Sequence, residues 1–138
     1  MADNAKFVHD LYAAFGRGDI GFIMGALDDH VEWICYGPPS VPFAGTFTGP
    51  ANVAKFFEAL GTTQTNQNLK IEETHVSGDQ VISIGSYSGT VTATGKAFDS
   101  KVAHVFTVRN GKIVRFLDFI DTAHAVEAYS ATVAGAAA

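Results

Sequence analysis

The sequence lacks the residue patterns that mark several common classes of site. Its one cysteine, Cys35, excludes an intrachain disulfide and leaves a cysteine-based metal cluster without support. The five histidines are scattered along the chain, and none of them has the HxH or HExxH spacing of a metal site. The glycines form no Walker loop that would cradle a nucleotide phosphate. We therefore predict that the protein uses neither a metal nor a cofactor.

Basic residues and long apolar runs are also scarce. Nine lysines and arginines stand against 14 aspartates and glutamates, which gives a net charge of −5 and no basic surface for nucleic acid. No apolar run approaches the roughly 18 residues of a membrane span, and the first residues show no signal-peptide pattern. These absences predict a cytoplasmic protein that binds neither nucleic acid nor a membrane.

Apolar side chains are what the chain has in quantity. Hydrophobic residues make up 47% of the 138 positions and charged residues 17%, which is enough apolar material for a core. This length fits one domain, predicted to span residues 1–138, with residues 134–138 as a fraying tail. So apolar a composition in a small domain indicates that a partner subunit covers part of the apolar surface or that this surface surrounds a pocket.

In the first half of the chain, capping residues, apolar spacing and glycine stops predict three helices and one strand. The expected boundaries are helix caps at Asp3 or Asn4 and at Asp19, a helix start at Pro50, helix stops at 16–18 and at Gly61, a strand at 31–36 and a loop at 37–49.

In the second half, β-branched and aromatic segments alternate with turn signals such as Asn110-Gly111. The expected strands cover residues 69–76, 80–92, 97–109 and 112–121, and a closing helix is capped by Thr122. Helices that are followed by a run of hairpins predict an α+β fold with a curved antiparallel sheet, not a parallel α/β sheet.

The last hairpin, around Asn110-Gly111, decides which side chains share a face of the sheet. A two-residue turn would put His104 opposite Leu117 and would turn Asp118 to the other face. A three-residue loop, with Gly111 in a left-handed bulge, gathers nearly all the charges on one face. We therefore predict the second register, in which His104 and Asp118 are diagonal neighbours in an apolar strip, roughly 7–8 Å apart at Cβ.

The pair of His104 and Asp118 is the most informative feature of the sequence. A carboxylate in apolar surroundings can act as a general base, and a neighbouring histidine can orient it or donate to a developing charge. A buried pair of this kind can also satisfy its own hydrogen bonds for structure alone. Tyr87 is a further candidate, either as a donor to an oxyanion or as an ordinary strand tyrosine.

Three segments carry a family resemblance. They are Val31-Glu32-Trp33, the loop at 37–45 and the ending at 104–121. These segments resemble the nuclear transport factor 2-like (NTF2-like) superfamily, and within it the SnoaL-like, ketosteroid isomerase-related branch. The resemblance implies a cone-shaped fold in which N-terminal helices close an apolar pocket against the curved sheet. It also implies dimers that pack through the outer face of the sheet.

The resemblance implies roles for single residues as well. SnoaL-like polyketide cyclases use an aspartate on the last strand as base and a histidine on the preceding strand, which match Asp118 and His104. The charged triad of limonene-epoxide hydrolase is absent, since its arginine and second aspartate would fall near Gly85 and Tyr87. The base of ketosteroid isomerase would fall at Trp33, which argues against that activity.

Further apolar and aromatic residues are expected to line the pocket or to fill the core. Trp33 and Cys35 share a strand face that the resemblance turns toward the pocket, although a strand tryptophan is at least as often a core residue. The candidates for contact with a substrate are Trp33, Cys35, Tyr12, Phe15, Phe43, Phe56, Phe106 and Phe116.

Together these features predict a cofactor-free enzyme in which Asp118, His104 and Tyr87 act on a small hydrophobic molecule, by isomerase, cyclase or hydrolase chemistry. A non-catalytic binding module for a hydrophobic metabolite and a purely structural dimerisation domain are the alternatives. A homodimer is expected through the outer face of the last hairpin, because self-association covers an exposed apolar patch. That face is predicted to contain Ala103, Val105, Thr107, Ile113, Leu117 and Phe119.

Overall fold

Four helices and six strands make up the fold of residues 3–131, the part of the chain that the computed structural model describes. In chain order they are α1 (Asn4–Gly16), α2 (Ile20–Gly25), β1 (Leu27–Cys35), β2 (Gly45–Thr48), α3 (Pro50–Thr63), β3 (Gln64–Ser77), β4 (Gln80–Val91), β5 (Ala97–Arg109), β6 (Lys112–Phe119) and α4 (Thr122–Tyr129). The predicted tail at 134–138 lies outside the described residues. Within them, no helix is long and apolar enough to span a membrane.

The six strands form one curved sheet in the order β2-β1-β6-β5-β4-β3. Strands β3 to β6 pair antiparallel, as the hairpin pattern predicted. Strand β1 pairs with β6 in parallel, so the sheet is mixed and not wholly antiparallel. The α+β fold class predicted from the order of helices and hairpins is confirmed.

Two predicted boundaries in the middle of the chain were wrong. Helix α3 continues through Gly61 to Thr63, because Gly61 does not adopt the positive φ of a helix stop and Gln64 is the first extended residue. Strand β3 then begins at Gln64, five residues before the expected start at residue 69. Since β3 is an edge strand whose side chains are mostly exposed, its first half has no apolar alternation to reveal it.

Smaller differences occur around β1 and α4. Strand β1 starts at Leu27, four residues before the expected start, and its pairing with β6 is irregular between Leu27 and Glu32. The short strand β2 lies within the predicted loop at 37–49. Helix α4 is capped by the Asp121 carboxylate, which accepts from the His124 N–H, and not by Thr122.

The hairpin between β5 and β6 turns through two residues, not the three that we predicted. Asn110 and Gly111 both have positive φ, 52° and 72°, and the flanking Arg109 and Lys112 pair with each other. Positive φ at both central residues is the mark of a type I′ turn, whose twist matches that of the flanking strands. Asn-Gly is the dipeptide that favours this turn most, so the turn chemistry prevailed over our charge-based choice of register.

A β-bulge shortly after the turn sets the faces of β6. Val114 is skipped in the pairing of β6 with β5, and the extra residue exchanges the faces of all later side chains. His104 is therefore directly opposite Asp118 on the inner face, and not diagonal to it as predicted. Ile113, expected on the outer face, points inward and is fully buried.

The helices pack on the inner face of the sheet. The buried side of α1 consists of Val8, Leu11 and Ala14, and that of α3 consists of Val53, Phe56 and Leu60. Three glycines at the GxGxxG spacing lie around the turn between α1 and α2: Gly16 ends α1, Gly18 lies in the turn and Gly21 lies in α2. Because they join two helices and follow no strand, these glycines lack the context of a dinucleotide-binding loop.

Candidate functional site

A cavity of about 90 Å³ lies between the helices and the inner face of the sheet. Seven of the eight residues predicted to contact a substrate line it: Tyr12, Phe15, Trp33, Phe43, Phe56, Phe106 and Phe116. The three predicted catalytic residues, Tyr87, His104 and Asp118, also line it. An apolar cavity that holds benzene has about 150 Å³, so this cavity has room for a small molecule only.

His104 on β5 and Asp118 on β6 form a buried pair on the cavity wall. The His104 Nε2 atom lies 3.2 Å from Asp118 Oδ1, and the two side chains are 8% and 10% exposed. The two atoms are within ion-pair distance but not in hydrogen-bond geometry, and Oδ1 has no hydrogen-bond partner among the described residues. A carboxylate oxygen that is buried and unpaired carries a desolvation penalty that a ligand's proton donor would relieve.

Tyr12 of α1 is the second partner of His104. Its hydroxyl lies 2.6 Å from His104 Nδ1, and the two rings stack with 19° between their planes. Burial raises the pKa of the Tyr12 phenol well above its ordinary value, and the Asp118 carboxylate also raises it. The Ser83 hydroxyl lowers the pKa of Tyr12, because it lies near enough to favour the phenolate. It makes no hydrogen bond to Tyr12.

Two more buried polar groups stand without a partner. Ser83 pairs with His104 across β4 and β5 and is fully buried, and its Oγ makes no hydrogen bond within residues 3–131. The indole Nε1 of Trp33 on β1 also lacks a hydrogen-bond partner within these residues. The Phe116 ring lies between Trp33 and His104 and contacts both. Polar atoms of this kind are uncommon in a folded core and call for an explanation other than packing.

The sequence model of the SnoaL-like domain family matches residues 8–116, which is most of the chain. The chain belongs to the SnoaL-like domain family. The match covers α1 and most of the sheet, including His104, and it ends two residues before Asp118. This assignment confirms the resemblance to the NTF2-like superfamily that the sequence motifs indicated.

Similar proteins of known structure share the fold over nearly their whole length. An NTF2-like protein from Burkholderia thailandensis E264 is 36% identical, with a TM-score of 0.85, and the match covers 94% of this chain and 99% of that one. TerC, co-crystallised with polyporic acid, is 26% identical, with a TM-score of 0.80 and coverage of 93% and 98%. An uncharacterised protein of Mycobacterium tuberculosis (strain H37Rv) is 29% identical over 133 residues, which covers 94% of this chain and 98% of that protein.

Tyr87 occupies another part of the cavity of this SnoaL-like domain, four strand positions from the level of His104. Its hydroxyl donates to the Gln64 carboxamide oxygen and accepts from Gln67 Nε2 at 3.0 Å. Gln64 Nε2 in turn donates to the Tyr129 hydroxyl at 2.8 Å. Burial raises the pKa of Tyr87, so its hydroxyl keeps its proton, but that proton is already held by Gln64.

Cys35 is buried but is not among the residues that line the cavity. It pairs with Asp118 across β1 and β6, so it lies beside the carboxylate and not on the cavity wall where we expected it. Burial raises the pKa of the Cys35 thiol, and the Asp118 carboxylate raises it further. The thiol therefore stays protonated. A protonated thiol is a poor nucleophile, so Cys35 is not a candidate for nucleophilic catalysis.

The sequence reasoning missed three polar residues of this site. Nothing in the sequence distinguishes Ser83 and Gln67 from surface residues. Gln64 lies before residue 69, where strand β3 was expected to begin. Gly89 is the one local signal for Gln64, because a side chain at position 89 would collide with the Gln64 carboxamide. Among residues 3–131, no three histidines, cysteines or acids are grouped so as to hold a metal ion.

Proposed function

We propose that this SnoaL-like domain is a cofactor-free enzyme that moves a proton on a small hydrophobic carbonyl compound, with Asp118 as the general base. The observation that supports the proposal most is the buried pair of His104 and Asp118 on the wall of an aromatic cavity, 3.2 Å apart. Fold and family agree with chemistry of the isomerase or cyclase type, which begins with such a proton transfer.

In this mechanism the carboxylate of Asp118 removes a proton from the carbon next to the carbonyl group. His104 lies 3.2 Å from Oδ1, which has no hydrogen-bond partner within residues 3–131, so the carboxylate keeps a free acceptor for the substrate's proton. The walls that exclude water are aromatic, and they include Trp33, Phe56 and Phe116. Tyr87 contributes a wall and not a proton donor, because its hydroxyl is engaged with Gln64 and Gln67.

The size of the cavity limits the substrate. About 90 Å³ holds only a small molecule unless the aromatic walls move apart. We therefore propose a substrate of one ring or a short chain, with one carbonyl group as its polar part.

A binding module without catalysis is the second candidate. The specific observation in its favour is again the contact between His104 and Asp118, because a carboxylate that is held by its neighbour can serve to select a ligand's polar group. The two candidates differ in one property: an enzyme changes the ligand's protons, and a binding module leaves them in place.

Cyclopentanone is a suitable probe, since it has one small ring and one carbonyl group and exchanges its α-protons for deuterium in D₂O. Proton NMR follows both its binding and its exchange in one sample. We expect the wild-type chain to accelerate exchange and Asp118→Asn to reduce the acceleration by about 100-fold or more, the usual effect of a general base. Asp29→Asn, the same change at an exposed position of β1, is the matched control and is expected to behave as wild type.

Each outcome decides between the candidates. Exchange that is lost in Asp118→Asn and kept in Asp29→Asn supports the enzyme. Binding without exchange in the wild-type chain supports the binding module. Exchange that is equal in wild type and Asp118→Asn contradicts the role of Asp118, and absence of both binding and exchange contradicts the proposed substrate class.

We also propose that the chain forms a homodimer through the outer face of the sheet. That face carries apolar side chains in two adjacent strands, with Val105 paired to Leu117. Beside them, Phe119 and Tyr36 stack at 5.0 Å, and they are 44% and 42% exposed. A second copy of the chain related by a two-fold axis would bury this apolar patch.

A further inference from the structure

The contact between Tyr12 and His104 bears on a question that the pair of His104 and Asp118 leaves open: which ring nitrogen of His104 carries the proton. An imidazole has two nitrogens, and in the neutral ring one donates while the other accepts. Here Nδ1 faces the Tyr12 hydroxyl at 2.6 Å and Nε2 faces Asp118 Oδ1 at 3.2 Å. Both nitrogens therefore have a fixed neighbour, and the neighbours decide the tautomer.

The two neighbours require opposite roles from the ring. A carboxylate oxygen accepts and does not donate, and Oδ1 lies 3.2 Å from Nε2, so its negative charge favours a proton on Nε2 over a lone pair. The Tyr12 phenol is protonated because it is buried, so its O–H needs an acceptor, and Nδ1 is the nearest one. Ser83, the other polar group near Tyr12, makes no hydrogen bond to it.

We propose that Tyr12 is a positioning residue that locks His104 in the neutral Nε2–H tautomer, so that Asp118 and not His104 is the group free to accept a proton. With Nδ1 occupied by the Tyr12 O–H, the ring takes up no second proton unless that bond breaks. The part of this inference that concerns proton acceptance rests on the proposed function, whereas the tautomer itself does not.

The surroundings of His104 add no other charge. Tyr12 approaches it from α1 and Asp118 from β6, while Ser83 on β4 is uncharged and Cys35 on β1 lies behind Asp118 as a thiol. The aromatic rings of Phe106 and Phe116 fill the remaining contacts. Tyr12 and Asp118 are therefore the polar groups that face the two ring nitrogens of His104.

Nitrogen-15 NMR of the imidazole rings tests the tautomer without any substrate. Long-range ¹H–¹⁵N correlation separates the Nε2–H tautomer, the Nδ1–H tautomer and the cation, and His104→Gln assigns the signal of His104 among the five histidines. At neutral pH we expect wild-type His104 to be the Nε2–H tautomer. In Tyr12→Phe, which keeps the ring packing and removes the hydroxyl, Nδ1 loses its hydrogen-bond donor, so we expect part of His104 to leave the Nε2–H tautomer.

Tyr129→Phe is the matched control, because it removes another partly buried phenol, which bonds to Thr63 and Gln64 and makes no hydrogen bond to His104. It is expected to leave the His104 signals unchanged. A wild-type ring in the Nδ1–H or cationic form overturns the proposal even if Tyr12→Phe does not fold. A folded Tyr12→Phe with an unchanged His104 tautomer overturns it as well.

The cyclopentanone assay separates this inference from the proposed function. In Tyr12→Phe we expect slower exchange than in the wild type, because His104 is then no longer held in one tautomer beside Asp118. If Asp118→Asn leaves exchange intact while the NMR result holds, the proposed function fails and the tautomer lock stands. If Asp118→Asn abolishes exchange while the NMR result fails, the base stands and the role of Tyr12 does not.

Discussion

His104 and Asp118 are a directly opposed cross-strand pair, and the distance of 3.2 Å between Nε2 and Oδ1 follows from that register. Opposed positions bring the Cβ atoms of two strands closer than diagonal positions do. The short side chains of aspartate and histidine can therefore meet without leaving the strand geometry. A one-residue change in the pairing would separate them to opposite faces of the sheet.

Insertion of one alanine after Arg115 tests that dependence. The added residue would turn Phe116 and Asp118 to the outer face unless the bulge widened to take it up. We expect the free energy of unfolding, measured in urea, to fall by about 3 kcal/mol or more, in the range of severe core changes. Val114→Ala leaves the register unchanged and is expected to lose about 1 kcal/mol. Equal stability of the two variants would contradict the role of the register.

The dependence of stability on alkaline pH follows from the two buried tyrosines. Burial raises the pKa of Tyr12 and of Tyr87, so the folded chain keeps protons that the unfolded chain releases above about pH 10. Their contribution to stability is thus complete below pH 10 and is lost as pH rises further, by about 1.4 kcal/mol per pH unit for each tyrosine. Urea unfolding of Tyr12→Phe should show a smaller slope above pH 10, and a slope equal to that of wild type would refute the assignment.

Two glycine substitutions should change stability in opposite directions. An alanine Cβ at Gly85 of β4 would run into the Lys70 carbonyl oxygen of β3, and that backbone cannot give way without breaking the pairing. Gly61→Ala, at an exposed position inside α3, meets nothing within 4 Å and should stabilise the chain by about 1 kcal/mol. Thermal unfolding of the two variants checks both signs, and a Gly85→Ala chain as stable as wild type would show that β3 and β4 are farther apart than described.

The proposed homodimer predicts the effect of a charge on the outer face. Leu117→Lys puts an ammonium group in the middle of the apolar patch and should convert a dimer into a monomer at micromolar concentration, as measured by sedimentation. Phe22→Ser removes an exposed aromatic side chain of α2, away from this face, and should leave the mass unchanged. A wild-type chain that sediments as a monomer would contradict the dimer directly.

Much of the architecture could be predicted because local signals were strong. Asp3 and Asp19 cap their helices as expected, each by accepting a hydrogen bond from a backbone N–H of the first turn. Strand β5 has the bounds that its β-branched residues and turn signals indicated. The aromatic lining followed from the apolar spacing in α1 and α3 and from the family resemblance.

The register and the polar contacts of the site could not be predicted in the same way. The bulge at Val114 has no sequence signal, since valine is an ordinary strand residue. We predicted a three-residue turn to bring Asp118 to the face of His104, but the bulge brings it there instead. The contact between Tyr12 and His104 joins residues 92 positions apart, so it depends on how α1 packs on the sheet. Local periodicity contains no information about such packing.

Chemical rescue is the measurement that tests Asp118 as the base most directly. Asp118→Ala removes the carboxylate and leaves space for formate, whereas Asp118→Asn fills the same space with an amide. We predict that formate restores part of the cyclopentanone exchange in Asp118→Ala, by about tenfold or more over the unrescued variant, and none in Asp118→Asn. Exchange in Asp118→Ala that equals wild type without formate, or rescue of equal size in both variants, would contradict the account.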